Sequence, residues 1–527
     1  MSQIKQTRAS RILLDRSISI ADAHAVLRGD LAIALHGAAR SRCAAAHRRL
    51  QQVIAERRHV YGLTTGFGPL ANRLVSAEDS AILQQNLVHH LASGVGPEYP
   101  WQAARGLVLA RLMSILQGAS GASDAAIGAL VSLLNSELAP VIPSKGTVGA
   151  SGDLTPLAHM VLCLQGRGIF MRADGSRLEG AAGLGRLGIE PLDLSRRDGL
   201  ALVNGTSAMT GVALCTSVGA ARALDWSETL SAALAECFSA RAEAWSTTFG
   251  TLRPHPGQIR AISGLNAALA GSGRVIRSPL AQRRLAPGTQ VTEADAGQDA
   301  YTLRCAPQVI GAVRDTLDWH DRILLTELNA ATDNPLFPDL EEETPVLHGG
   351  NFMGQHVGLA SDALSNGLCV LAGLAERQLA RLTDERLNRG LPAFLHEGAP
   401  GLNSGFMGAQ VTATALLAEM RTSGAASVQS ISTNGANQDV VSMGTIAARL
   451  AADKLATLWQ IQAILALAVA QAIDLLQDRG DAAFSPSARA LHGFVRQRSA
   501  RLTGDRPLSP DITTLADCLS RYDPAAH

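Results

Sequence analysis

Aromatic side chains are scarce in this sequence. Five Trp, four Tyr and ten Phe make up 4% of 527 residues, too few for the aromatic and β-branched texture of a sheet protein. Charge is in surplus in neither direction, with 46 Lys and Arg against 46 Asp and Glu. There is thus no basic surplus to suggest nucleic acid and no strong acidic bias. The seven cysteines are scattered and never spaced as CxxC, so neither a disulfide framework nor a zinc ribbon is read here. The opening MSQIKQTRASRILLDRS lacks the apolar core of a signal peptide. The longest greasy run, Ile464 to Ala470, is too short to cross a bilayer, and a cytoplasmic location is expected. Neither a phosphate-binding GxxxxGK nor a zinc-binding HExxH occurs. His89 and His90 are adjacent, about 100° apart on a helix, a poor metal pair. Gly183 to Gly188 spells GxGxxG, but with no clear strand before it and Pro191 soon after it reads as a loop. No metal, nucleotide or diffusible cofactor is expected.

What is abundant is small and apolar. Hydrophobic residues are 46% and charged ones 17%, a folded chain of alanine- and leucine-rich helices packed through small side chains. Val60 to Leu70, VYGLTTGFGPL, is a turn-rich loop. Ala103 to Gln117 has helical texture, and MRADGSRLEG forms a hairpin around Asp174-Gly175. Beyond Asn204 the helices lengthen. Val313, Leu317, His320 and Leu324 share one helical stripe, as do Val357, Leu364, Leu368, Leu371 and Ala375. Asp453 to Leu476 is apolar nearly all round, as in a helix buried inside a bundle or subunit interface. The fold class is mainly all-α, an elongated bundle of long helices with a smaller loop-rich N-terminal part. By texture the chain divides into 1–200, 201–480 and a terminal cap, 481–527.

One stretch, Gly146 to His159 (GTVGASGDLTPLAH), invites specific chemistry. In Ala150-Ser151-Gly152 the Gly152 amide nitrogen can attack the Ala150 carbonyl and close a five-membered ring. Loss of water from the ring and from Ser151 then leaves an exocyclic methylene, an electrophile no side chain supplies. Glycine leaves the nucleophile uncrowded, serine carries the leaving hydroxyl, and alanine leaves the carbonyl accessible. Pro156 reads as the first residue of a helix capped by Thr155. The tripeptide alone decides nothing, because it recurs at residues 92–94 and 119–121. Its surroundings at 146–159 do distinguish it. They resemble the signature of the ammonia-lyases and aminomutases that build methylidene-imidazolone (MIO) from their own backbone, which act on histidine, phenylalanine or tyrosine.

The resemblance runs from Tyr61 to Gly444 and assigns roles that the residues alone leave open. Tyr61 either anchors its own glycine-rich loop or is a base on a lid; YGLTTGFG resembles the family's base-bearing loop, with Thr64 where many relatives have asparagine. Arg304 can grip an amino-acid carboxylate with its planar fork or sit in a surface ion pair. The segment QDAYTLRC resembles the family's QDxYSLRC, implying carboxylate binding by Arg304 and proton relay by Tyr301, with Ala300 and Thr302 departing from it. Asn204 in LVNGTSAM and Asn334 in TDNP are each simplest as a cap or turn. The resemblance implies that Asn204 bonds the ring carbonyl and Asn334 the substrate carboxylate. Phe352, Gln438 and Glu419 are implied to pack beside the ring or meet the amine. At His90-Leu91 a buried imidazole can either be a satisfied core histidine or hydrogen-bond a phenol; the pair resembles the family's tyrosine-type pocket, and the resemblance along the whole chain points to the enzymes of purple phototrophic bacteria. The implied activity is non-oxidative deamination of L-tyrosine to trans-p-coumarate by a homotetramer whose sites combine three subunits. Histidine ammonia-lyase and tyrosine 2,3-aminomutase chemistry are the alternatives.

Overall fold

A computed structural model describes residues 10–524, apart from 77, 195–196, 279–283, 285, 289–297, 340–345, 400 and 482. Eighteen α-helices and seven short strands are found among the described residues, so the mainly helical expectation holds. Small residues drive this outcome, since alanine and leucine lose little entropy in a helix.

The chain forms two compact units, each assembled from three separate segments. This differs from a division in chain order at 200 and 480. The physical reason is helix length: Ser207–Cys237, Ala306–Leu328, Gln355–Thr383 and Gly444–Gln477 each contribute residues to both units.

The first unit comprises Met1–Val218, His320–Asp362 and Ala425–Ala452. The Trp101–Leu116 helix is its buried centre, with every residue from Ala103 to Leu116 buried. Arg105 is tolerated there because it donates to carbonyls at two helix ends, Val26 at 2.9 Å and Leu134 at 2.6 Å, satisfying groups that helix ends leave unpaired. Strands Ser10–Leu14 and Leu31–Leu35 pair in parallel across the helix Ile20–Arg28. The expected hairpin is present: Ile169–Met171 pairs antiparallel with Arg177–Glu179, and Gly175 turns with φ +84°.

Two local readings are corrected. The GxGxxG stretch is a helix, Gly180–Leu187, ended by Gly188 at φ +66°. A strand does precede it, and Gly183 lies so close to Phe170 that a Cβ would stand 2.1 Å from the ring; glycine here serves packing. Nor does the helix after the tripeptide start at Pro156. It spans Leu154–Leu164 with Asp153 at its N-cap position, because the Asp153 carboxylate is held by other elements and turns the chain two residues earlier.

The second unit comprises Gly219–Trp319, Ala363–Gly424 and Asp453–His527. At its core Ile464 to Ala470 are all 1% exposed or less. The flanking glutamines are buried and paired: Gln462 donates to the Ala223 carbonyl at 2.8 Å, and Gln471 to that of Leu502 at 3.0 Å. The greasy run is the middle of a longer apolar helix, so its shortness does not decide the membrane question. Gln355–Thr383 and Gly444–Gln477 are long and apolar enough to span a bilayer, but 67% and 83% of their most apolar windows are buried, as in core helices.

Candidate active site

In the first unit a cavity of about 620 Å³ gathers Tyr61, His90, Leu91, Ala150, Ser151, Gly152, Asn204 and Gln438, residues far apart in sequence. Five segments bring them together. The Tyr61 loop is pinned by Gln84, a fully buried amide that donates to the Gly62 carbonyl at 2.9 Å and accepts from the Leu200 N–H at 2.8 Å. Gln84 belongs to the helix Ser80–Leu91, which carries His90 and Leu91 at its far end. The Leu200 contact fixes the helix Asp198–Val203, which delivers Asn204 as its C-cap residue. One side chain thus registers three walls of the cavity. Sequence reasoning missed it, although a glutamine sharing a buried helix face with Leu87 and Val88 is a readable signal.

The tripeptide is bent back on itself, with Ala150 and Gly152 forming a bridge pair across a single residue. Gly149 and Gly152 have φ of +71° and +72°, the left-handed region where glycine is favoured. A Cβ on Gly152 would stand 2.1 Å from the Gly205 carbonyl oxygen, so no larger residue fits. Ser151 Oγ accepts from Gln438 Nε2 at 3.1 Å. A doubled-back, glycine-flanked serine whose hydroxyl faces a cavity fits a group made from these three residues.

Beside it, Asp153 is fully buried and accepts from the Met209 N–H at 2.7 Å and from the Thr445 hydroxyl. Burial is the largest influence on this carboxyl and raises its pKa from 3.8 to about 6. The folded state therefore binds its proton more tightly than the unfolded state, and this stabilising contribution is lost as pH rises through that window. Asp153→Asn is expected to gain stability relative to the original chain by up to about 3 kcal/mol between pH 4 and 7, read from urea midpoints at both values. Equal shifts with pH in the two proteins would refute it.

Tyr61 is half-buried. Its phenol oxygen accepts the Gly68 N–H at 2.9 Å, and its own N–H donates to His348 Nε2 at 3.2 Å. Its ring stands edge-on to Phe67 at 6.1 Å. Asn204 Oδ1 accepts the Asn334 N–H at 2.9 Å, and Asn334 Oδ1 accepts the Gly349 N–H at 2.7 Å. Asn334 therefore supports Asn204 from outside the cavity lining, and Phe352, half-buried in the same unit, is not part of that lining. His90 is exposed to the open cavity, not buried as expected. Desolvation by its neighbours still lowers its pKa, favouring neutral imidazole, which can both donate and accept.

Three predicted site residues lie in the second unit. Tyr301 is 70% exposed, with the Arg304 guanidinium stacked 4.6 Å over its ring. Glu419 is exposed on the helix Met407–Thr422.

The sequence profile described as aromatic amino acid lyase matches residues 18–497. The chain belongs to the aromatic amino acid lyase family. Within the family it is 62% identical over 511 residues to the tyrosine ammonia-lyase of Cereibacter sphaeroides, covering 97% of this chain and 98% of that one. It is 42% identical over 468 residues to the MIO-dependent tyrosine 2,3-aminomutase of Streptomyces globisporus, covering 88% and 86% of the two chains. The solved structure of tyrosine aminomutase from Streptomyces globisporus superposes with a TM-score of 0.91 at 37% identity, covering 98% of each chain. The helical architecture is thus that of this lyase family.

Proposed function

We propose that this chain is a tyrosine ammonia-lyase, a carbon–nitrogen lyase that converts L-tyrosine to trans-p-coumarate and ammonia. One observation carries the reading: a single cavity lined by Tyr61, the Ala150–Gly152 tripeptide, Asn204 and the pair His90-Leu91. The 62% identity to a protein named for that activity supports it. An MIO formed from Ala150, Ser151 and Gly152 would supply an electrophilic methylene for the substrate amine.

The remaining work falls to the chain's own groups. The Tyr61 phenol oxygen removes the substrate's β-proton, and the Gly68 N–H at 2.9 Å holds that oxygen in place. Asn204, its amide oxygen held by the Asn334 N–H, keeps its NH₂ hydrogens for negative charge on the Ser151 carbonyl oxygen. Gln438, already on Ser151 Oγ, holds the amine side, with Glu419 beside it. Arg304 grips the carboxylate and Tyr301 relays a proton, while Asn334, outside the lining, acts through Asn204. In this reading Tyr301, Arg304 and Glu419 are supplied by other subunits of a cytoplasmic homotetramer.

Turnover of L-tyrosine, L-phenylalanine and L-histidine, followed by ultraviolet absorbance and chromatography of products, tests the reading. p-Coumarate from tyrosine as the main product is expected. β-Tyrosine would assign an aminomutase, and urocanate a histidine ammonia-lyase. His90 and Leu91 face the phenol end of the substrate. His90→Phe is expected to move the ratio of kcat/KM for tyrosine over phenylalanine towards phenylalanine by about 10²-fold or more, because the hydroxyl loses its polar partner. An unchanged ratio would remove His90 from the specificity pocket.

A further inference from the structure

A buried cation behind the Asn204–Gly205 peptide has no part in the reading above. Arg111 lies on the central Trp101–Leu116 helix and is 0% exposed. Its Nη1 donates to the Asn204 carbonyl and its Nη2 to Ser114 Oγ at 2.7 Å, while its Nε has no partner. Among the described residues no carboxylate lies within ion-pair distance of it. Asp333, the acid that acts on it across space, is bound to Arg197 at 3.4 Å and Ser120 at 2.8 Å. Burial lowers the Arg111 pKa to about 10, which leaves a cation at neutral pH.

A buried charge without a contacting counter-ion is costly, and this one stands at a particular place. A Cβ on Gly205 would stand 2.7 Å from Arg111 Nη1, so the guanidinium packs directly on that peptide. Gly205 also forms a bridge pair with Gly152. Its N–H donates to the Ser151 carbonyl oxygen at 3.4 Å, and its own carbonyl accepts the Asp153 N–H at 2.7 Å.

We propose that Arg111 is a positioning residue that polarises the Asn204–Gly205 peptide, making the Gly205 N–H a stronger donor to the Ser151 carbonyl oxygen. Drawing electron density from the Asn204 carbonyl leaves the N–H across the same amide more positive. Hydrogen bonds in such a chain reinforce one another, more so in a low-dielectric interior. The inference rests on the reading of Ala150–Gly152 as the precursor of the electrophile. During maturation Ser151 loses its Cα proton and its hydroxyl. The electron pair of the Cα–H bond passes through the carbonyl oxygen, then forms the carbon–carbon double bond as hydroxide leaves and combines with the proton as water. Charge on that oxygen is what the Gly205 N–H stabilises, so Arg111 affects ring formation as well as turnover.

The test compares the full-length protein with Arg111→Lys, Arg111→Gln and Arg111→Met. Intact mass after a short expression pulse gives the fraction lacking two waters, and steady-state kinetics on L-tyrosine give kcat and KM separately. Gln and Met are expected to lag at least about ten-fold in water loss and to lose about 10²-fold in kcat with KM within about three-fold. Lys, which keeps the charge, is expected to recover about ten-fold of kcat over Gln. If Met fails to fold, the Lys–Gln pair decides, since both retain a donor. Gln performing as well as Lys, or kcat unchanged with a raised KM, would overturn the role. If the original chain keeps its translated mass, this inference and the proposed function fall together. If it loses two waters and the Arg111 variants behave like it, only this inference falls.

Discussion

Ser151→Ala is expected to lower turnover of L-tyrosine by roughly 10⁴-fold or more and to leave the polypeptide at its translated mass. The substitution removes the one hydroxyl whose departure creates the double bond. It disturbs little else. Ser151 is only half-buried, and the lost side-chain bond is the one from Gln438, worth about 1 kcal/mol. Circular dichroism and oligomeric size should therefore match the original protein. The two other Ala-Ser-Gly copies provide a control: Ser120 is buried and donates to Asp333, so its role is structural. Ser120→Ala should still lose two waters from the chain. Full activity in Ser151→Ala, or a mass deficit that persists in it, would end the electrophile assignment.

Tyr61→Phe separates a catalytic phenol from a loop anchor. The ring contact with Phe67 and the backbone bond to His348 are kept, and only the phenol oxygen goes. If that oxygen takes the β-proton, kcat falls by about 10²- to 10⁴-fold, KM changes little and the two-water mass deficit is retained. An anchoring role predicts a different pattern. The Gly68 N–H would lose its acceptor, at a cost of about 1–3 kcal/mol if it stays unpaired, and KM would rise as the loop loosens while kcat stayed within about ten-fold. Steady-state kinetics with intact mass on the same sample distinguish these outcomes.

Much of the site was legible because its central chemistry is local. The proposed ring closure involves three consecutive residues, and the surrounding 146–159 stretch distinguishes them from the two other copies of the tripeptide. The turn-rich Tyr61 loop and the buried helical stripes follow from composition and period, which depend only on neighbours a few positions away. The Asp174-Gly175 hairpin was readable for the same reason. The helix start at Leu154 was not, because Asp153 is held by Met209 and Thr445, the latter 292 positions away. The GxGxxG helix was misread because its glycines answer to Phe170, a packing partner and not a ligand.

The sequence by itself determined that this is a helical, small-residue chain resembling the MIO lyases and which three consecutive residues are the candidates for its electrophile, since these are matters of covalent adjacency and short-range period. Tertiary structure alone decided that Gln84 ties three cavity walls together, that Asn334 holds Asn204, and that Arg111 stands behind Gly205 without a contacting carboxylate among the described residues. It also assigned Tyr301, Arg304 and Glu419 to the second unit. Hydrogen bonds and buried charges depend on which distant groups end up within about 3 Å of one another, and no local pattern along a chain records that distance.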